Sequence, residues 1–190
     1  MSTATVASFP TRPDDLAAVG RHTRWLLAFL LVASLATLFW PRAGASRAPG
    51  GTLIDVNGRP APLGERLAPV TLVHFWATWC PPCMTEIPSL GRLHEATAEY
   101  RGDFSILMIA VADDPERVQQ FVGNRIGSVL FDPSWDVTHR YGTRKLPETY
   151  LVVGGEVVER FVGAQNWDDP KIREKVMTAV KGVRPEAAGG

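Results

Sequence analysis

The stretch from Phe75 to Leu90, FWATWCPPCMTEIPSL, constrains the fold of this chain more than any other and holds its only two cysteines. A short apolar, β-prone run, Val70–Trp76, ends just before Cys80, and the proline that follows suits the first position of a helix. We therefore predict that Cys80 lies between a buried strand and a helix N-terminus. That position lowers the pKa of a thiol, because the helix dipole and nearby amide hydrogens stabilise the thiolate.

The composition favours a cysteine pair that takes part in redox exchange. A disulfide scaffold would need several pairs. Structural zinc normally needs four ligands, whereas the four histidines are scattered: His22, His74, His94 and His139. A passive Cys80–Cys83 disulfide would close too short a loop to restrain the unfolded chain appreciably. We predict that Cys80 is the nucleophile and that Cys83 resolves the mixed disulfide.

The two prolines between the cysteines change the expected thiol chemistry. Pro81 and Pro82 carry no amide hydrogen, so only the Cys83 amide remains as a nearby donor to the Cys80 sulfur. We expect a Cys80 thiolate that is stabilised less than it would be with an ordinary residue at position 81. A higher thiol pKa and a more reducing dithiol would follow.

An uncharged apolar segment, WLLAFLLVASLATLFW, runs from Trp25 to Trp40. As a helix it would be about 24 Å long, slightly short of a bilayer core, with tryptophans suited to both interfaces. It could be a signal anchor, a cleaved signal peptide with its site near Ala43–Ala45, or a buried core helix. The preceding 24 residues are long for a cleaved signal and favour the anchor.

These features predict a membrane-tethered, single-domain protein. Twenty basic and twenty acidic residues cancel, so the basic surface that nucleic acid needs is not expected. The Gly/Pro-rich stretch RAGASRAPGG reads as a linker. The predicted divisions are a leader at 1–24, a transmembrane signal anchor at 25–41, a flexible linker at 42–51, a folded domain at 52–184 and a disordered tail at 185–190.

Alternating strand and helix patterns predict an α/β sandwich with a mixed sheet. The expected order begins with a hairpin around Asn57-Gly58 and ends with a hairpin around Gly154-Gly155 and a closing helix. The predicted strands are 70–76, 104–112, 129–131, 148–153 and 156–162. The predicted helices are 81–100, 115–126, 133–141 and 168–183.

The cysteine region resembles the active site of the thioredoxin superfamily. The residues that carry the likeness are the Phe75-Trp76-Ala77-x-Trp79-Cys80-x-x-Cys83 motif, Pro88 and the Leu146-Pro147 pair. WCPPC followed by Glu86-Ile87-Pro88, and the later Pro147-Glu148-Thr149, is similar to membrane-tethered thiol–disulfide reductases of the TlpA/ResA type, including the CcmG (DsbE) branch.

This resemblance implies a thioredoxin-like sandwich with flanking helices, preceded by a single transmembrane helix, and with a cis bond before Pro147. It implies a disulfide reductase on the inner membrane that faces the periplasm, or a soluble periplasmic protein after signal cleavage. The implied substrates are oxidised proteins, either apocytochrome c or a copper-site subunit. A membrane electron donor of thiol type would recharge the dithiol, and no cofactor or metal is implied.

The resemblance also suggests further site residues. Glu86 occupies the position of a glutamate implicated in proton handling. His74 stands where thioredoxin has a buried aspartate and is a second candidate for proton transfer. A cis Pro147 would present the Leu146 backbone to a substrate chain, and Trp79 would lie on the rim. The alternatives are a histidine satisfied beneath the sheet, a solvated glutamate in the first helical turn and an ordinary turn proline.

Three other functions are alternatives for a chain with this cysteine pair. A protein of the same fold could insert disulfides instead of reducing them. A peroxidase is disfavoured, because the PxxxTxxC setting of its reactive cysteine is not found. A non-enzymatic dithiol module could hold a soft metal such as copper.

Overall fold

A computed structural model describes residues 46–122 and 126–183. Within them, eight strands form one mixed sheet in the order β1-β8-β7-β4-β5-β6-β2-β3. The strands are β1 (Ser46–Arg47), β2 (Thr52–Ile54), β3 (Pro60–Pro62), β4 (Val70–Trp76), β5 (Phe104–Val111), β6 (Ser128–Asp132), β7 (Glu148–Val153) and β8 (Glu156–Val162). The α-helices are α1 (Pro81–Ala96), α2 (Pro115–Val122), α3 (Asp136–Arg140) and α4 (Pro170–Val183).

Strand β4 is the centre of the sheet. It pairs in parallel with β5 and antiparallel with β7, and every one of its residues is buried. An apolar run without alternation is what a strand covered on both faces requires. The predicted bounds of β4 are confirmed, and so are its parallel partner and the β7–β8 hairpin around Gly154-Gly155.

The two faces of the sheet pack against different core clusters. Leu72 and Trp76 belong to the cluster that also holds buried residues of α1 and α4, whereas Val73 and Phe75 belong to the opposite cluster. Successive strand residues point to opposite faces. His74 therefore points to the same face as Trp76, toward α1.

Some element bounds differ from the sequence-based expectation. Helix α1 ends at Ala96, and a separate 3-10 turn, Ala98–Tyr100, follows it, because the Thr97 hydroxyl and amide bond back to the last carbonyls of the helix. Helix α3 begins at Asp136 rather than Pro133. The predicted 115–126 helix is observed as Pro115–Val122.

Residues 46–51 are attached to the domain rather than forming the expected flexible linker. Strand β1 extends the β8 edge of the sheet, and the Ala48 amide donates to Gly155 O at 2.8 Å. The Leu63 amide donates to Gly51 O at 2.9 Å. The ordered domain thus begins before Thr52, because an exposed sheet edge recruits backbone groups whatever the side chains are.

The predicted anchor at 25–41 and the tail at 185–190 lie outside the described residues. Among the helices that the structure describes, none has the length and apolar character to cross a membrane.

Candidate active site

The two cysteines form a disulfide at the start of α1. Cys80 is the N-cap residue of the helix, and its sulfur accepts a hydrogen bond from the Cys83 amide at 3.4 Å. Pro81 and Pro82 occupy the first two helical positions. The Cys83 amide is therefore the donor to the Cys80 sulfur, as expected. Cys80 itself is only 5% exposed.

The loop before β7 brings a cis proline to the same end of the sheet. The Leu146–Pro147 peptide bond is cis, as the resemblance implied. In the register of β4 and β7, Glu148 pairs with Phe75, so Pro147 lies beside the end of β4 that leads to Cys80. Pro147 is buried and Leu146 is half-buried, in contact with the core clusters on both faces of the sheet.

Glu86 lies one turn after Cys83 on the buried face of α1. Its side chain is not solvated, since the residue is only 2% exposed. Oε2 accepts hydrogen bonds from the Gln165 amide and from Trp167 Nε1, both at 3.0 Å. Burial raises the pKa of Glu86 to about 7, although these two bonds favour the carboxylate and oppose the increase. The alternative of an exposed helix acid is wrong.

His74 approaches Glu86 from the face of the sheet that α1 covers. Its Nδ1 shares a 2.8 Å hydrogen bond with Thr149 Oγ1, and its Nε2 lies 3.7 Å from Glu86 Oε1. Within the described chain these last two atoms have no hydrogen-bond partner. Burial lowers the pKa of His74 to about 3. The histidine is therefore neutral near pH 7, and its contact with Glu86 is a polar contact rather than an ion pair.

Trp79 forms the exposed border of the site. Half of its surface is accessible, and its Nε1 donates to Ala112 O at 3.0 Å. Its ring centroid lies 6.3 Å from that of Trp135, which stacks on His139 at 5.6 Å. Trp79 was expected on the rim of the active site, whereas no sequence signal indicated a role for Trp135.

Three polar contacts of the site were not anticipated. Gln165 and Trp167 come from the loop before α4, and no spacing pattern relates them to Glu86. Thr149 could have been found, because it stands directly opposite His74 in the β4–β7 register. In 46–122 and 126–183, no group of three or more His, Cys, Asp or Glu side chains is placed to hold a metal.

Comparison with known proteins agrees with this geometry. A sequence model of the Redoxin family matches residues 43–177. The chain belongs to the Redoxin family. This Redoxin-family chain is 32% identical over 151 residues to the thiol-disulfide oxidoreductase ResA of Halalkalibacterium halodurans, an alignment that covers 77% of the chain and 80% of that protein. The predicted TlpA/ResA type within the thioredoxin superfamily is confirmed, and the protein is a thiol–disulfide oxidoreductase.

Two further similarities extend the comparison of this Redoxin-family chain. The thiol:disulfide interchange protein HelX of Rhodobacter capsulatus is 29% identical over 133 residues, covering 65% of the chain and 70% of HelX. A solved structure of a thiol:disulfide interchange protein from Chlorobium tepidum superposes with a TM-score of 0.60 at 25% identity. The superposition covers 74% of the chain and 99% of that structure.

Proposed function

We propose that the chain is a disulfide reductase that acts on oxidised proteins outside the cytoplasm. The observation that carries the direction of electron flow is the single 3.4 Å hydrogen bond from the Cys83 amide to the Cys80 sulfur. Two prolines occupy the positions whose amides could otherwise donate. A less stabilised thiolate makes the reduced form less stable relative to the disulfide, so the dithiol is a stronger reductant.

The exchange begins with the reduced pair. The Cys80 thiolate attacks one sulfur of the substrate disulfide, and the other substrate sulfur leaves as a thiolate that takes a proton. The Cys83 thiol then loses its proton and attacks Cys80, which releases the second substrate sulfur. Two electrons have moved to the substrate, the two product thiolates take protons from solvent, and the Cys80–Cys83 disulfide remains.

Glu86 is the proton acceptor that we assign to Cys83. The two residues are three positions apart on α1 and are therefore neighbours on one helix face. A carboxyl group with a pKa of about 7 exchanges protons near neutral pH, which suits a general base. Only the carboxylate can accept the proton, so exchange should accelerate as the pH rises through about 7.

His74 supports this role as a positioning residue. When Glu86 is protonated, the tautomer whose Nδ1 donates to Thr149 presents an unprotonated Nε2 toward Glu86 Oε1, 3.7 Å away. When Glu86 is ionised, the other tautomer presents the Nε2 hydrogen toward the carboxylate, while Thr149 donates to Nδ1. A neutral imidazole thus accommodates both states of Glu86 without acquiring a charge.

Leu146, Pro147 and Trp79 provide the substrate-binding surface. An extended substrate segment could pair with the Leu146 backbone as an added strand. The exposed Trp79 ring would cover one side of the reacting sulfurs. This arrangement favours disulfides in flexible or unfolded polypeptides, because a strand must be free to approach the sheet end.

The substrates we propose are the oxidised haem-attachment cysteines of apocytochrome c or the oxidised metal ligands of a copper-site subunit. Residues 25–41 would anchor the protein in the inner membrane with the catalytic domain in the periplasm, or be removed to leave a soluble periplasmic form. A membrane protein that carries a thiol pair would return electrons to Cys80 and Cys83.

The reduction potential of the 190-residue chain tests the direction of transfer. Equilibration against a thiol buffer should give a value near that of thioredoxin, about −270 mV. Pro81→Ala restores one amide donor, and its potential should be less negative than that of the parent. A parent value near about −120 mV, like that of a strong oxidant, would instead support the disulfide-inserting alternative.

A further inference from the structure

A row of three rings extends away from the cysteines on the exposed side of the domain. It consists of Trp79, Trp135 and His139, with centroid separations of 6.3 and 5.6 Å along the row. Trp79 immediately precedes Cys80 in the chain. The first ring of the row therefore belongs to the residue that precedes Cys80. The proposed function uses only this ring.

The row is held in place by two strained loops that share one carbonyl. Trp135 and Ala112 both have positive φ angles, 63° and 46°, which L-residues rarely adopt. Asp132 O accepts from the Ala112 amide at 3.1 Å and from the Trp135 amide at 3.4 Å, and Ala112 O accepts from the Trp79 indole. Such conformations persist only where the surroundings impose them. A glycine at position 135 would relieve the backbone but remove the ring.

Positive charge lies at the far end of the row. A concavity of about 400 Å³ is lined by His139, Gly142, Thr143 and Arg144. Arg140, Arg144 and Lys145 are exposed. None of these three forms an ion pair in the part of the chain that the structure describes.

One acid on the same short helix, Asp136, faces three cations, and it forms no ion pair with any of them in the described residues. Asp136 stands one turn before Arg140, and its carboxylate accepts a hydrogen bond from the Ser134 hydroxyl at 3.1 Å. The cations continue directly into Leu146 and the cis Pro147. The row of rings thus leads to a concavity whose cations precede the cis-proline loop in the chain.

We propose that Trp79, Trp135, His139 and Arg144 form a specificity subsite for an acidic polypeptide segment beside the substrate disulfide. This inference rests on the proposed exchange at Cys80. An apolar residue next to the disulfide would lie on the two indoles, and carboxylates further along would reach the concavity and its cations. A segment rich in lysine would be repelled there.

Two synthetic peptides provide the test. Each contains one intramolecular Cys-Ala-Ala-Cys disulfide flanked by leucine, and they differ only in carrying Asp-Asp or Lys-Lys at the next positions. The reduced 190-residue chain gives two electrons to the peptide, whose thiolates take protons from solvent, and becomes oxidised. At an ionic strength of about 0.02 M the acidic peptide should react at least about ten times faster, and at 0.5 M the ratio should fall below about three.

Three variants assign the preference to the subsite. Arg144→Glu with Lys145→Glu should reverse the ratio of the two rates. Trp135→Gly should slow both peptides about tenfold while keeping their ratio, because glycine adopts the same backbone angle freely. The matched charge control is Lys181→Glu, on α4, whose buried residues pack on the opposite face of the sheet, and it should leave the ratio unchanged.

The outcomes separate this subsite from the direction of electron flow. Equal rates for the two peptides, or a ratio that the double variant does not change, would overturn the subsite. If the reduced chain reduces neither peptide, the reductase proposal fails. The same two peptides as dithiols are then oxidised by the Cys80–Cys83 disulfide. Both directions pass through one mixed disulfide, so the same preference is expected and is measured there.

Discussion

Two glutamate side chains are buried in the domain, and they differ in whether a cation lies beside them. Glu86 and Glu148 are each only 2% exposed. Glu148 begins β7 and is paired with the Arg160 guanidinium, which also lies over the Tyr150 ring at 5.7 Å. Among the residues that the structure describes, Glu86 has no such cation. It has two neutral N–H donors and a neutral histidine.

The missing cation affects the charge state of Glu86. Taking a carboxylate out of water is costly unless a cation or several hydrogen bonds compensate it. Glu148 has that compensation, and Glu86 has it only in part, so burial moves the pKa of Glu86 to about 7. Glu86 can therefore store and release a proton near neutral pH.

The largest expected contrast concerns catalysis. Glu86→Gln should slow peptide disulfide exchange by about 10² near pH 8 and remove the step in its pH–rate profile near 7, because no carboxylate remains to take the Cys83 proton. Glu148→Gln should change the rate less than about threefold. Stopped-flow rates over a pH series measure both variants. Equal losses would show that burial alone, and not titration, sets the role of Glu86.

A smaller contrast concerns stability against pH. Burial raises the pKa of Glu86 from 4.5 to about 7, so its contribution is fully present below pH 4.5 and is lost as the pH rises to 7. Burial lowers the pKa of His74 from 6.5 to about 3, so its contribution is fully present above pH 6.5 and is lost as the pH falls to 3. Between about 4.5 and 6.5 the two trends oppose each other, each worth roughly 1.4 kcal/mol per pH unit.

Single variants should separate the two opposing pH dependences of the free energy of unfolding. Relative to the parent, Glu86→Gln should become less stable as the pH falls from 6.5 to 4.5, because only the histidine trend remains. His74→Gln should become more stable over the same interval. Each divergence should reach roughly 3 kcal/mol or less, and urea unfolding at several pH values measures it. Parallel curves for all three proteins would contradict the assigned pKa shifts.

The central fold could be predicted from the sequence because its signals are local. Strand β4 was predicted with its observed bounds, since seven buried residues in a row must be apolar or satisfied. Edge strand β1 could not be predicted, because its pairing with β8 uses backbone groups only. Helix ends differed where 3-10 turns and caps, rather than periodicity, decide the last residue.

The site was predictable in its parts but not in its contacts. The cysteines and the candidate acid Glu86 belong to one short motif, whereas the cis Pro147 lies more than sixty residues later and was expected only from the resemblance to a known family. The contact of His74 with Glu86 depends on how α1 packs on the sheet, which no spacing reveals. The donors to Glu86 lie 79 and 81 residues further along, in an irregular loop.

A variant without Arg160 removes the cation that pairs with Glu148. Arg160→Ala should lower the free energy of unfolding by about 2 kcal/mol, because it leaves a buried carboxylate without its partner. The effect stays below that of a fully buried pair, since the Arg160 side chain is 49% exposed. Chemical denaturation measures the loss. The control is Lys175→Ala, which breaks the exposed pair with Glu159 and should cost less than about 1 kcal/mol.

The smallest effect concerns the hydrogen bonds that hold the Glu86 carboxylate. Trp167→Phe keeps an aromatic ring but removes the indole N–H that donates to Oε2. Because that bond favours the ionised form, its loss should raise the midpoint of the pH–rate profile, by less than about one unit. Phe161→Leu is the control: it removes the ring that packs on Trp167 at 5.3 Å and should leave the midpoint where it was. A midpoint that falls in Trp167→Phe would mean that the observed titration belongs to a group other than Glu86. The contrast between the carboxylate with a cation and the one without would then explain stability only.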